Sequence, residues 1–360
     1  MRSEAVQFLS SSAVFASVLL VPILLSEMGF DAAAIGLVVS AYAASVFVSS
    51  YLFGRLADEY GRRVVLRAGL LTCAVVSALH YFAAEPLTFL AMRIAMGASA
   101  GIFPAALLAY AYEQNNKIGK FVSYGSLGWG AGTLLAGAAG LWSLFLPFLV
   151  SAGFYLSAFL ISLALPFPKE GRVHLPLFPK AVILRNAHAY GAMLIRHTGA
   201  NMVWVIYPLF LTDLGATPLW IGGIYAVNSI TQFSVMQVID RFDGQNLLRA
   251  GMLLSAVTFL LFSQATELWM IPPIQIILAI SWSCMYVGAL KCIMRDDAER
   301  ATGTGVLGSV TSISAILGSI AGGAIASAFG DVATMYAALC MALAALATHM
   351  IVSMRAGRGA

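Results

Sequence analysis

The chain has 360 residues, of which 60% are hydrophobic and only 10% are charged, and its mean hydropathy is +0.88. Since roughly a quarter of the residues in a soluble domain are charged, this composition excludes an ordinary soluble protein. It predicts an all-α polytopic membrane protein that has no room for a folded soluble domain. The formal net charge of +4 does not indicate a nucleic-acid partner, because the basic residues are spread along one predicted side of the membrane.

The apolar runs predict twelve transmembrane helices of about twenty residues, joined by short loops. In chain order they lie approximately at Val6–Leu25, Ala34–Leu56, Val64–Ala83, Leu87–Ala111, Val122–Trp142, Leu146–Leu165, Ala189–Leu211, Leu219–Ile239, Leu247–Ser263, Leu268–Cys292, Gly303–Phe329 and Val332–Ser353. The first run is too long for a cleavable signal and lacks a small-residue cleavage site, so we expect it to stay as span 1. A polar break divides the chain into an N-terminal six-helix bundle, a cytoplasmic central loop and a C-terminal six-helix bundle, at 1–166, 167–187 and 188–360.

The charges in the loops predict the orientation of the chain. Basic residues gather in the loops on the side of the N-terminus. The loops on the other side hold acidic residues without Lys or Arg, namely Glu27, Asp31, Glu85, Asp213, Glu267 and Asp331. Because Lys and Arg favour cytoplasmic loops, we expect a plasma (inner) membrane protein with both termini in the cytoplasm. The cysteines are expected to be free thiols, since they lie in apolar runs or at a cytoplasmic helix end: Cys73, Cys284, Cys292 and Cys340.

The two halves of the sequence repeat one another. Leu66–Gly69 and Leu248–Gly251 both read leucine-arginine-alanine-glycine. Single residues also match, namely Asp58 with Asp240, Glu85 with Glu267, and Gly29 with Gly215. In the second copy the charged turn is degenerate, because Asp243-Gly244-Gln245 stands where the first copy has Gly61-Arg62-Arg63. The matches predict two six-helix bundles related by a parallel pseudo-two-fold repeat.

The most polar segment between two apolar runs is Gly54–Leu66, which reads GRLADEYGRRVVL and is expected to form a tight loop between spans 2 and 3. This pattern resembles the signature loop of the major facilitator superfamily at the same place in the chain. Arg93, followed by Gly97 and Gly101, is similar to the superfamily's span 4. The resemblance implies a secondary transporter whose two bundles rock about a central substrate cavity by alternating access.

The signature segment is interpreted as a cytoplasmic latch. We expect Asp58 to dock against the start of span 11, near Ala301 to Gly303, where a helix N-terminus offers free N–H groups. Arg62 or Arg63 is expected to pair with a carboxylate such as that of Glu113. The predicted gating residues are Gly54, Asp58, Gly61, Arg62, Arg63, Glu113 and Asp240.

Ionisable residues inside the spans are candidates for substrate binding, because charge is costly in a bilayer. Arg93 and Arg196 lie in spans 4 and 7, whereas no Asp or Glu lies deep in any predicted span. This asymmetry favours an anionic or polar neutral solute over a bare organic cation. Alternatively, Arg93 stiffens span 4 by bonding helix carbonyls, and Lys291 is interpreted as snorkelling to the cytoplasmic surface. The predicted substrate-binding residues, several of which share a helix face, are Arg93, Arg196, His197, Asn201, Trp204, Asn228, Gln232, Trp282 and Tyr286.

These patterns predict a secondary active transporter of a small organic solute, with a lean towards efflux of an amphipathic or anionic compound. The alternatives are proton-coupled uptake of a sugar or carboxylate, and a non-transporting receptor-like protein on the same scaffold. His197 is the candidate proton carrier, and Glu27 and Glu113 are the alternatives at span ends. Since the sequence offers no catalytic triad, metal-ligand cluster or nucleotide-binding loop, we expect no enzyme activity, metal or cofactor. The expected partners are the substrate, protons as coupling ion and the lipid bilayer, without nucleic acid, and the chain is expected to be a monomer.

Overall fold

The computed structural model describes residues 2–115, 118–166, 180–293 and 300–358, and within these ranges the chain is helical without a β-strand. Nine helical segments of this described part are long and apolar enough to cross a membrane. The prediction of an all-α membrane protein is therefore confirmed, and the count of twelve spans stays a prediction. The helices are α1 (Arg2–Val18), α2 (Val21–Glu27), α3 (Ala32–Tyr60), α4 (Arg62–His80), α5 (Pro86–Ala100), α6 (Pro104–Asn115), α7 (Ile118–Gly140), α8 (Leu146–Leu163), α9 (Lys180–Arg185), α10 (Ala187–Asp213), α11 (Pro218–Met236), α12 (Gly244–Ser263), α13 (Ile271–Ile293), α14 (Arg300–Phe329) and α15 (Asp331–Arg358).

Two of the predicted spans are interrupted. Span 1 consists of α1 and α2 with a break at Leu19 and Leu20, and span 4 consists of α5 and α6. In span 4 the interruption precedes Pro104, which begins α6. Proline favours the first helical position because it lacks the N–H that would remain unbonded there.

The loop predicted at Gly54–Leu66 is much shorter than expected. Helix α3 continues to Tyr60 and α4 begins at Arg62, so only Gly61 leaves the helical conformation. Leucine, alanine and glutamate in this stretch are good helix formers, and they extend α3 through it. Gly61 has a φ of 101°, which disfavours residues that have a Cβ atom.

The chain reverses after α2 and after α10 by the same device. Gly29 and Gly215 both have a φ of 87°. The N–H of Phe30 donates to the carbonyl of Leu25 at 3.0 Å, and that of Ala216 donates to the carbonyl of Leu211 at 2.9 Å. Each bond closes a Schellman motif, in which a left-handed residue lets the chain bond back to the last turn of the helix.

The helices pack into two compact units. Unit 1 comprises Met1–Phe30, Ala41–Leu175 and Leu211–Ile230, and unit 2 comprises Asp31–Ser40, Pro176–Phe210 and Thr231–Ala360. The units differ from the predicted halves by the exchange of two segments, the start of α3 and most of α11. Close helix packing explains the exchange, because glycines leave room for a neighbouring backbone. In unit 2, Gly36 of α3 packs against α14, and in unit 1, Gly222 of α11 packs against α7.

Each unit has its own apolar core. In unit 1 the core contains Leu66 and Leu70 of α4 together with Met96 of α5, all fully buried. In unit 2 it contains Met193 of α10 and Met285 of α13, which are also fully buried.

Basic side chains cap a helix end in unit 1. Arg2 donates to the carbonyl of Ala164 at 2.8 Å, and Arg67 donates to the carbonyls of Ser162 and Leu163 at 3.2 and 2.9 Å. These carbonyls lie at the C-terminal end of α8, where the last C=O groups lack partners in a following turn, although that of Ser162 also accepts from the N–H of Leu165 at 3.2 Å. The two cations bond these groups and complement the helix dipole.

Candidate functional site

Arg93 of α5 lies inside unit 1 and is only 1% exposed. Its Nη1 donates to the carbonyl of Ser17 at 3.2 Å, in the last turn of α1. The rings of Tyr42 and Phe148 each lie 5.3 Å from its Cζ, at a distance typical of cation–π contacts. Nε and Nη2 have no hydrogen-bond partner among the described residues. The guanidinium therefore bonds the end of α1, next to the break between α1 and α2, and two of its nitrogens can still donate hydrogen bonds.

Arg196 of α10 lies inside unit 2 and is also 1% exposed. Its Nε donates to Oγ of Ser255 at 2.7 Å, and its Nη2 donates to Oγ of Ser281 at 3.4 Å. The two serine hydroxyls lie 2.6 Å apart, and each is 2.8 Å from the carbonyl oxygen of Gly251. This network joins α10 to α12 and α13.

The residue after Arg196 begins a different arrangement in unit 2. His197 stacks on Trp282 with ring centroids 4.8 Å apart, and Trp282 stacks on Tyr286 at 5.4 Å. All three side chains are half-buried. We call these three residues the aromatic face. Asn201, one turn further along α10, donates its amide to the carbonyl of His197 at 2.8 Å. The structure thus brings together four of the predicted substrate residues.

The other predicted substrate residues have different surroundings. Trp204 packs edge-on against Tyr207 with centroids 5.4 Å apart. Asn228 is 0% exposed and Gln232 is 4% exposed. Their roles stay predictions.

Ser229, beside Asn228, makes a contact in unit 1 that the sequence did not indicate. Its Oγ accepts from the N–H of Gly130 at 3.0 Å and donates to the carbonyl of Ser126. Residues 126 and 130 are four apart in α7, so one hydroxyl bridges the two backbone groups of a single helical turn. The sequence feature that could have indicated this contact is the glycine at 130, since a Cβ there would lie 2.9 Å from the Ser229 hydroxyl.

Most of the predicted gating residues lie outside the described side chains. The structure does not describe the surroundings of Gly54, the side chains of Asp58, Glu113 and Asp240, or the expected docking segment at Ala301 to Gly303. The latch therefore stays a prediction. Arg62 is half-buried and Arg63 is exposed in the first turn of α4. Two cations at a helix N-terminus oppose the helix dipole, so helix stability does not explain their presence.

The degenerate second copy of the signature segment has a different structural role. Asp243 is the N-cap of α12, and its carboxylate accepts from the N–H groups of Gln245 and Asn246 at 2.9 and 3.1 Å. In the first copy the N-cap of α4 is Gly61, which has no side chain to accept these bonds.

Comparison with known proteins identifies the family. The model of the MFS_1 like family matches residues 2–337. The chain belongs to this family of the major facilitator superfamily. It is a secondary transporter in a membrane, not an enzyme.

Curated relatives and solved structures agree with this assignment. The chain is 28% identical to the class G tetracycline resistance protein of Vibrio anguillarum, covering 81% of this chain and 80% of that protein. It is 24% identical to the multidrug resistance protein MdtH of Aeromonas salmonicida, with 73% and 68% covered. A crystal structure of a mutant of the nucleoside transporter NupG superposes with a TM-score of 0.81 at 14% identity, covering 97% of this chain and 98% of that one. This last likeness shows the fold alone.

Proposed function

We propose that the chain exports amphipathic organic compounds as a secondary active transporter that works by alternating access. The aromatic face is the observation that carries the chemistry of this proposal. A ligand with a flat apolar part and a polar edge would find stacking partners in Trp282 and Tyr286 and a polar neighbour in Asn201. The direction of transport rests on relatives that are named for resistance to tetracycline and to multiple drugs.

An anionic group on the exported compound is the second part of the proposal. Arg196 lies behind the aromatic face, with its Cζ 5.7 Å from the ring of Trp282. A positive charge in a poorly hydrated site favours negative or electron-rich ligands nearby. Arg93 is the second candidate, since two of its guanidinium nitrogens have no partner in the described ranges.

We also propose the finer architecture, with twelve spans in two six-helix halves and both termini in the cytoplasm of an inner membrane. Besides the nine segments already counted, α7, α10 and α11 have 23, 27 and 19 residues, which is enough to span a bilayer. The matched Schellman turns at Gly29 and Gly215 support the repeat. The basic loops support the orientation. We further propose that the chain works as a monomer and that its transport is coupled to protons.

Binding measurements on the purified transporter test the role of the aromatic face. We expect Trp282→Ala to weaken the binding of a planar aromatic drug about two- to tenfold, the loss that one aromatic pair accounts for. Trp142→Ala is the matched control, because Trp142 is 78% exposed beyond the end of α7. Arg196→Lys is expected to weaken anionic ligands more than matched neutral ones, since Lys cannot form two parallel bonds to a carboxylate. Equal affinities for wild type and Trp282→Ala would contradict the proposal.

A further inference from the structure

A cavity of about 370 Å³ lies in unit 2, away from the aromatic face. It is formed by residues 241–243, the first residues of α12 and the last turn of α13. We call it the α12–α13 pocket. Gly244 lets the start of α12 approach α13 closely, since a Cβ at this position would come within 2.9 Å of Cβ of Lys291.

Two cations and an exposed aromatic ring line the pocket. The ammonium of Lys291 donates to the carbonyl of Phe242, and Cζ of Arg241 lies 5.0 Å from the Phe242 ring. Phe242 itself is 48% exposed. Both cations thus contact the same residue, and both line the same pocket.

The acidic residue of the pocket is already engaged. The carboxylate of Asp243 accepts from two backbone N–H groups at the start of α12, so that helix dipole stabilises its charge. Counting Arg241, Lys291 and Asp243, the lining keeps one excess positive charge.

Gln245 adds a polar group that lacks a partner. Its amide nitrogen lies 3.0 Å from Nε2 of His188. Its Oε1 is buried and has no hydrogen-bond partner in the described part of the chain. A buried acceptor without a donor costs free energy, so an amide rotation that turns Oε1 into the pocket and towards a ligand hydroxyl would recover that cost.

We propose that the α12–α13 pocket binds the phosphodiester headgroup of an anionic phospholipid that carries hydroxyl groups, such as phosphatidylglycerol. Arg241 and Lys291 hold the phosphate, and a headgroup hydroxyl donates to Oε1 of Gln245. Basic pockets between membrane helices are suited to anionic headgroups. Val238, which is 57% exposed, and Phe242 supply apolar surface beside the pocket for acyl chains.

Native mass spectrometry and thermal unfolding of the purified full chain test this proposal. We expect phosphatidylglycerol to bind wild type and raise its unfolding temperature more than phosphatidylcholine does. Arg241→Gln and Lys291→Gln are each expected to weaken this binding about fivefold, because one cation near a lipid surface contributes about 1 kcal/mol. Arg249→Gln is the matched control, since Arg249 lies on α12 but does not line the pocket.

Further variants and ligands separate the outcomes. Lys291→Arg keeps the charge and should retain lipid binding, which distinguishes lost recognition from lost folding. Glycerophosphoglycerol, the same headgroup without acyl chains, should bind far more weakly than the lipid. Comparable affinity for this soluble ester would overturn the lipid as ligand. Unchanged phosphatidylglycerol binding in both Gln variants would overturn the site.

Discussion

Two arginines place full charges inside the helix packing of this transporter, and each is accommodated differently. Arg93 bonds one backbone carbonyl and is surrounded by aromatic rings. Arg196 bonds two serine hydroxyls that themselves bond one another. A guanidinium so deeply buried must retain hydrogen-bond acceptors, because an unpaired buried charge is strongly destabilising.

The dependence of Arg196 on Ser255 gives a prediction at this scale. Ser255→Ala removes the acceptor of Nε, which lies 2.7 Å away, and leaves a buried donor without its partner. We expect the free energy of unfolding to fall by about 1–3 kcal/mol. The control is Ser157→Ala, whose hydroxyl bonds only a carbonyl of its own helix at an exposed position, and we expect a loss below about 0.5 kcal/mol. Thermal or denaturant unfolding measures both variants, and equal losses would contradict the role of the network.

At the scale of the helices, one of the contacts between α7 and α11 depends on one hydroxyl and one missing side chain. Ser229 bridges backbone groups of Ser126 and Gly130, and the glycine leaves room for it. This contact lies within unit 1 and places most of α11 with the helices of that unit.

A double-mutant cycle tests this contact. Gly130→Ala is expected to destabilise the protein by about 1–3 kcal/mol, because its methyl group would displace the Ser229 hydroxyl. Ser229→Gly removes both the hydroxyl and the obstruction, so Gly130→Ala should cost at least about 1 kcal/mol less in that background. Additive effects would show that the two residues do not interact.

The helices were predictable from sequence, because apolar runs and basic loops reflect the bilayer directly. The Schellman turns were indicated by the matching glycines at 29 and 215. The environment of Arg196 was not predictable. Periodicity separates Arg196 from His197 on the helix surface, but it does not tell which neighbouring helix each residue meets. The pairing of Ser229 with α7 likewise depends on tertiary packing, since serines of this kind are common in membrane helices.

At the scale of the whole molecule, active transport needs an energy source. A proton gradient can serve only if a group of the protein binds and releases protons. The sequence has 16 acidic residues, and none lies deep in a predicted span. Histidines are the other groups that exchange protons near neutral pH. His80 and His349 are 0% exposed, and His80 packs against the rings of Phe89 and Phe148. His197 is less buried than these two and belongs to the aromatic face, so it is the candidate that a ligand bound at this face would contact.

Flux in proteoliposomes under an imposed pH gradient tests proton coupling. We expect wild type to move an aromatic drug faster when protons flow in the opposite direction, because export and proton entry are then linked. His197→Gln preserves size and polarity but cannot take up a proton, so we expect the flux without a gradient to persist and the acceleration to disappear. His188→Gln is the matched control, since His188 lies at the start of the same helix and bonds Gln245 outside the aromatic face. Wild-type flux that ignores the gradient would exclude proton coupling, and an acceleration that survives in His197→Gln would assign the proton to another group. Acceleration only when drug and protons move together would reverse the proposed direction and make the chain an importer.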